Sequence, residues 1–298
     1  MKNIDEVIKQ LSLIEKASYS ELKRTLKDFD GLDITIKAME DYEEEVAYLL
    51  KKQVKHIQNG LNKRIQKAEN DEYETLLDYL ADIAEDDEFE KEFSAVTAIY
   101  FRQTIEDLTK FIMNVIDKDV QFNKLSPRTL KWIEDTSDHL AEVMNLTSYD
   151  AVQRALKRGL EEGKGIPSIV RELSQLPEFD EVRARRTAQT EILAANAHSQ
   201  HEAYNQSPAV TGKRWKHSGA RGIDPRPAHV RLSGTVKKLN EKFDVNGYYG
   251  MYPRDWELPA KERVNCHCTI GPVVDENILK LPPDEKKKLH EQRMKEMK

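Results

Sequence analysis

Along most of the chain apolar residues recur every three or four positions, with charged residues filling the intervals. Ile4, Val7, Ile8, Leu11 and Ile14 fall on one helical face, and Phe89, Phe93, Val96, Tyr100 and Ile105 mark another. The spacing predicts helices up to about residue 145, with breaks at Gly31, at Gly60 and at Ser126-Pro127, where serine can cap and proline can take the first helical position. A further helical stretch over 148–160 closes at Gly163-Lys164-Gly165; Ile166-Pro167 opens a short helix to residue 176, and Pro177 ends it. Residues 182–204 are rich in alanine, basic at their start, and stop at Gln206-Ser207-Pro208. Past Gly212 the texture turns to Gly, Pro and aromatics, with candidate strands at 214–217, around 230–236 and at 268–273. A Lys/Glu-rich helix over 284–298 carries little apolar surface to anchor it. The pattern predicts a mainly α fold with a small α+β C-terminal module. It has an elongated helical N-terminal region (1–147), a module (148–275) in which the long Ala-rich helix packs on a short-stranded sheet, and a charged, weakly anchored helical tail (276–298).

Composition supports this picture: 298 residues exceed what one core usually serves, and 34% charged against 39% hydrophobic residues imply a thin core. No run of about 18 apolar residues is present to span a bilayer. Met1-Lys2-Asn3-Ile4-Asp5 leads into an amphipathic pattern and not the apolar stretch of a signal peptide, so the cytosol is the expected site of synthesis.

Charge changes the picture more. The chain totals −6, yet residues 183–238 hold eleven cations (Arg183, Arg185, Arg186, Lys213, Arg214, Lys216, Arg221, Arg226, Arg231, Lys237 and Lys238) against Glu191, Glu202 and Asp224. Such a local excess suits a surface facing phosphates or an acidic partner. It equally suits a solvated face with internal ion pairs.

The residues fit for chemistry gather late in the chain. Both cysteines lie in Asn265-Cys266-His267-Cys268, and five of the eight histidines (His198, His201, His217, His229 and His267) fall between 198 and 267. A Cys-x-Cys disulfide would close a small, strained ring, so the pair reads as reduced thiols. Thiolates plus imidazole are the ligand set zinc prefers, and Cys266, Cys268, His229 and one of His217 or His267 supply four donors. Two small thiols packed under a sheet is the plainer alternative. Asp224, Arg226 and His229 admit three roles. They are a general base with its orienting carboxylate, a phosphate contact, or a structural turn whose arginine pairs with a carboxylate such as Glu191. On the Ala-rich helix Glu191 and Asn196 are the odd polar residues, and a buried Glu191 needs a cation, for which Arg226 is the expected partner. His198 and His201, three apart, read as exposed polar residues.

Taken in order, these features resemble the phage Mu F-like minor head proteins, the phage head morphogenesis family. The resemblance rests on Gly163-Lys164-Gly165, Thr190-Glu191, Asn196, Lys213-Arg214-Trp215, Asp224-Pro225-Arg226-Pro227-Ala228-His229, Gly234, Pro259, Asn265-Cys266, Cys268 and Pro272. Gln189 and His267 stand where the family tends to have arginine. The resemblance implies a non-enzymatic virion protein of a tailed bacteriophage, inside the head at the portal vertex, assisting head assembly or DNA delivery. Its implied partners are the portal protein, packaged double-stranded DNA bound non-specifically, and capsid or scaffold protein. Glu191, Asn196, Trp215, Asp224, Arg226, His229 and Asn265 would form a hydrogen-bonded network. The competing reading is a metal-assisted hydrolase or nuclease, a toxin-like effector, using His229, Cys266 and Cys268.

Overall fold

The computed structural model describes residues 19–27, 29–67, 80, 88–218 and 225–297. The face from Ile4 to Ile14, and the site candidates Arg221 and Asp224, lie outside the described residues. The fold is mainly α with short antiparallel strands near the C-terminus. Its helices are α1 (Tyr19–Thr25), α2 (Leu32–Lys67), α3 (Glu88–Ile116), α4 (Pro127–Glu161), α5 (Ile166–Glu172) and α6 (Glu181–Gln206). There follow β1 (Val210–Lys216), α7 (Pro227–Leu232), β2 (Val236–Lys238), β3 (Phe243–Val245), β4 (Tyr248–Gly250), α8 (Ala260–Arg263), β5 (Thr269–Val274), α9 (Glu276–Leu279) and α10 (Pro283–Glu296). Two compact units are built from interleaved segments: Met1–Glu40, Tyr100–Ile133 and Gln189–Lys298 form one, Asp41–Ile99 and Glu134–Ala188 the other.

The second unit is a helical assembly whose core includes Val54, Ile57, Leu61, Val152, Leu156, Ile166, Ile169 and Phe179. Gly60 does not break α2 as expected. Glycine in a helix costs about 1 kcal/mol, less than the ~1.5–3 kcal/mol gained by burying each of its neighbours Ile57 and Leu61. Nor does the chain break before Ser148. There α4 runs on, and the Ser148 hydroxyl donates back to the Met144 carbonyl at 2.9 Å. Gly159 is needed for packing, since a Cβ there would sit 2.6 Å from Ile169 Cδ1.

The first unit carries the sheet and the chemistry-bearing residues. β1 is central, antiparallel to β2 on one side and β5 on the other, and β3–β4 form a separate hairpin. Residues around Val230 form helix α7 and not the expected strand, because Pro227 lacks an N–H and has its φ preset for the start of a helix. Trp215, Phe243, Tyr204, Tyr252, Ile270 and both cysteines belong to one core cluster.

Every residue of α6 from 190 to 204 is buried. This explains its lack of an amphipathic pattern: a helix enclosed on all sides needs no polar face. Its polar side chains then depend on internal partners, which most of them find, Asn196 Oδ1, Gln200 Nε2 and His201 Nδ1 being buried atoms without one among the described residues. Asn196 donates to Thr35 Oγ1 at 2.9 Å, and Gln200 Oε1 accepts from the Thr269 hydroxyl at 2.8 Å. Glu202 accepts from the Ser126 amide and hydroxyl, the Thr129 hydroxyl and the Gln206 amide, at 2.8–3.0 Å. Ser126 itself caps α4 by accepting from the Thr129 amide, so the carboxylate lies at the positive end of that helix.

His198 and His201 are buried, contrary to their reading as exposed polar residues. Since Thr129 donates to Glu202, its oxygen accepts from His198 Nε2–H at 2.9 Å, leaving Nδ1 to accept from the Tyr252 hydroxyl at 2.7 Å. The ring also stacks on Trp132, with centroids 4.1 Å apart.

The C-terminal helix is anchored more firmly than its sequence suggested, and by polar groups. The buried Lys286 ammonium donates to Asp117, Asp119 and the Leu279 carbonyl, His290 Nδ1 donates to the Gln206 carbonyl, and Arg293 donates to the carbonyls of Pro208 and Val210.

Burial lowers the His198 pKa to about 3. Its unfolded value is about 6.5, so the unfolded chain takes up the proton first and stability falls as pH drops from about 6.5 towards 3, by up to about 1.4 kcal/mol per pH unit at this site. Urea unfolding across that range should show this slope, reduced by about one proton's worth in His198→Gln.

Candidate metal centre

Four short segments of the first unit build the centre. Alternation along β1 turns Trp215 inward. The α7 turn presents His229, and α8 presents Glu262 and Arg263. After α8, Asn265 adopts φ 55°, a left-handed conformation asparagine tolerates, and this turns Cys266 inward ahead of β5.

His229 Nδ1 lies 3.4 Å from Cys266 Sγ and 3.6 Å from Cys268 Sγ, and the three donors lie within 4.8 Å of one another. Nε2 bonds Glu262 Oε2 at 3.0 Å. All four residues are 5% exposed or less. Trp215 and His229 meet edge to face, and Trp215 meets Phe243 in the same way. Arg254, 1% exposed, lies under the Cys-x-Cys backbone and donates from Nη1 to the carbonyls of Cys266 (2.6 Å) and Cys268 (2.8 Å). A hydrogen bond with Cys268 holds the Cys266 thiol well below its ordinary range and drives Cys268 upward. The pair therefore shares a proton, with Arg254 favouring charge on Cys266.

The sequence candidates are distributed as follows. His229, Cys266 and Cys268 converge as expected; His217 and His267 do not join the group. Burial lowers His267 to about 4. Arg226 is not the partner of Glu191. It donates to the Val264 carbonyl at 2.7 Å and lies 3.9 Å from Glu262. Arg263 instead reaches both Glu191 oxygens at 3.3–3.4 Å and covers the Trp256 ring at 3.7 Å.

Several cations of the basic segment are used inside the fold. Lys213 is fully buried, donates to the Leu239 carbonyl, and is pushed by burial down to about 8. Arg183 donates to Ser148, Glu178 and Met144, with burial lowering it to about 10, and Arg185 makes a two-oxygen contact with Glu43. Lys213 is thereby withdrawn from the surface, and Arg183 and Arg185 are engaged by partners within the fold. Arg186, Arg214, Lys216, Arg231 and Lys238 are exposed, and Lys237 is half-buried. Glu262, Arg254 and Arg263 were missed from sequence. Lys261-Glu262-Arg263 looks like an ordinary solvated charge run, and nothing local marks Arg254.

Residues 150–271 match the family described as phage Mu protein F like protein. The chain is 40% identical over 296 residues to the protein YqbB of Bacillus subtilis (strain 168), covering 97% of each. A further match, 30% identical over 167 residues, is to the NAD(+)–arginine ADP-ribosyltransferase EFV of Enterococcus faecalis (strain ATCC 700802 / V583), covering 55% of this chain and 31% of that protein. No solved structure matches. The family match places the chain in the phage head morphogenesis class, and the structure gives it a buried Cys–His centre. The chain belongs to the phage Mu protein F like family.

Arg254→Met leaves two buried carbonyls without their charged donor. It should cost about 3 kcal/mol in chemical unfolding, whereas a loss under about 0.5 kcal/mol would mean the carbonyls find other partners.

Proposed function

We propose that the protein is a non-enzymatic minor head protein acting at the portal vertex inside the head of a tailed bacteriophage, in head assembly or DNA delivery, after synthesis in the host cytoplasm. The observation that carries this reading is the family match over residues 150–271. The exposed face of β1 and β2 supplies a contact surface. Arg214 and Lys216 alternate outward on β1, and Lys238 lies opposite Gly212 on the same face. The partner would be an acidic patch on the portal protein, with packaged double-stranded DNA and capsid or scaffold protein as further contacts.

In this reading the His229/Cys266/Cys268 cluster is structural, with zinc as the ion its donors suit. Bonds of about 2.0–2.1 Å to nitrogen and 2.3 Å to sulfur at a tetrahedral angle put the two donors about 3.6 Å apart, close to the observed 3.4 and 3.6 Å. Burial of the donors argues against the hydrolase or nuclease alternative, which needs substrate access. The match to the ADP-ribosyltransferase spans under a third of that enzyme and gives its activity little support here. No helix among the described residues is long and apolar enough to cross a membrane.

Co-expression with a portal protein of the same phage should yield a complex, weakened by the triple reversal Arg214→Glu, Lys216→Glu and Lys238→Glu. If DNA shares this face, log affinity should fall with log salt by about 3, a slope the reversal abolishes. A complex indifferent to the reversal, with no DNA binding, would remove the face from the account.

A further inference from the structure

We infer that Glu262 is the outer carboxylate of the zinc centre, a positioning residue that aims His229 at the metal. The inference rests on the zinc reading and adds a residue to it.

Imidazole has two nitrogens, and which one binds a metal is set by what holds the other. Here Nε2 lies 3.0 Å from Glu262 Oε2. A carboxylate only accepts, so the hydrogen is on Nε2, and the Nδ1 lone pair faces the two sulfurs. Both side chains are deeply buried, so water is a poor substitute acceptor. Without Glu262 the ring loses the contact that selects its tautomer and its rotation.

Glu262 is itself held from several directions. Asn246 Nδ2 approaches Oε1 at 3.5 Å, and Arg226 Nε lies 3.9 Å from Oε2. The next residue, Arg263, ties the four-residue helix α8 to Glu191. The centre thus couples three pieces of chain distant in sequence: α7 through His229, α8 through Glu262, and the entry to β5 through the two cysteines. Arg254 fixes the last piece by holding the carbonyls on either side of His267. A protein group placed to orient a metal-bound histidine has a measurable signature, since losing such a partner typically weakens metal affinity by about 10–100-fold.

The test uses the full chain, loaded with zinc and titrated with a chromophoric zinc chelator, beside Glu262→Leu and Glu262→Gln, with folding followed by circular dichroism. The wild type should bind one zinc. Glu262→Leu should weaken it by about 10–100-fold, and Glu262→Gln by less, because its amide oxygen still accepts from Nε2–H. The cobalt(II) form should show ligand-field bands shifted in Glu262→Gln, which a purely structural role for Glu262 would not produce. If Glu262→Leu does not fold, Glu262→Asp, with the carboxylate withdrawn by one methylene, should show the same weakening. A wild type that holds zinc alongside variants of equal affinity and unshifted bands would overturn the role of Glu262 and leave the zinc reading intact. A wild type that takes up no zinc would overturn both.

Discussion

A helix buried on every side depends on groups inside the protein to partner its polar side chains, and α6 between residues 190 and 204 is such a helix. Its alanines let neighbouring segments approach closely. Its Glu191, Asn196, His198, Gln200 and Glu202 then act as sockets for groups from elsewhere in the first unit. Arg263 reaches Glu191 from α8, Thr35 reaches Asn196 from α2, Thr129 and Tyr252 hold His198, Thr269 holds Gln200 from β5, and Ser126 and Thr129 hold Glu202 at the start of α4. An unpaired buried polar group costs about 1–3 kcal/mol, more if charged, so these sockets specify which segments dock and in what register.

The Cys–His centre depends on that arrangement. Glu262 and Arg263 are neighbours on one helical turn. Glu262 orients the imidazole and Arg263 ties the turn to α6. The centre is thus fastened to the helix at its back while its donors face inward among Trp215 and the cysteines.

Much of this was legible in the sequence because it follows from local chemistry. Gly31, at φ 67°, ends the first segment, Ser126-Pro127 opens α4, the Ala-rich stretch forms one helix, and His229 meets the two cysteines. What escaped depends on partners far apart along the chain. Arg226 and Arg263 were equally plausible cations for Glu191, and only the packing of α8 decides for Arg263. His198 and His201 looked exposed because nothing in an Ala-rich helix with scattered polar residues signals burial. Lys213 counted as surface charge although its neighbours on the strand alternate around it. Lys286, His290 and Arg293 anchor α10 through charge and carbonyl contacts that a hydrophobic pattern does not register.

The central claim is that charged and polar pairs on α6 hold the first unit together, and a double-mutant cycle between Glu191 and Arg263 tests it most directly. Stabilities of the wild type, Glu191→Ala, Arg263→Ala and the double variant should give a coupling of about 2–3 kcal/mol, because either single change strands a buried charge and the double change removes both. A coupling below about 0.5 kcal/mol, the level seen for independent sites, would contradict the account.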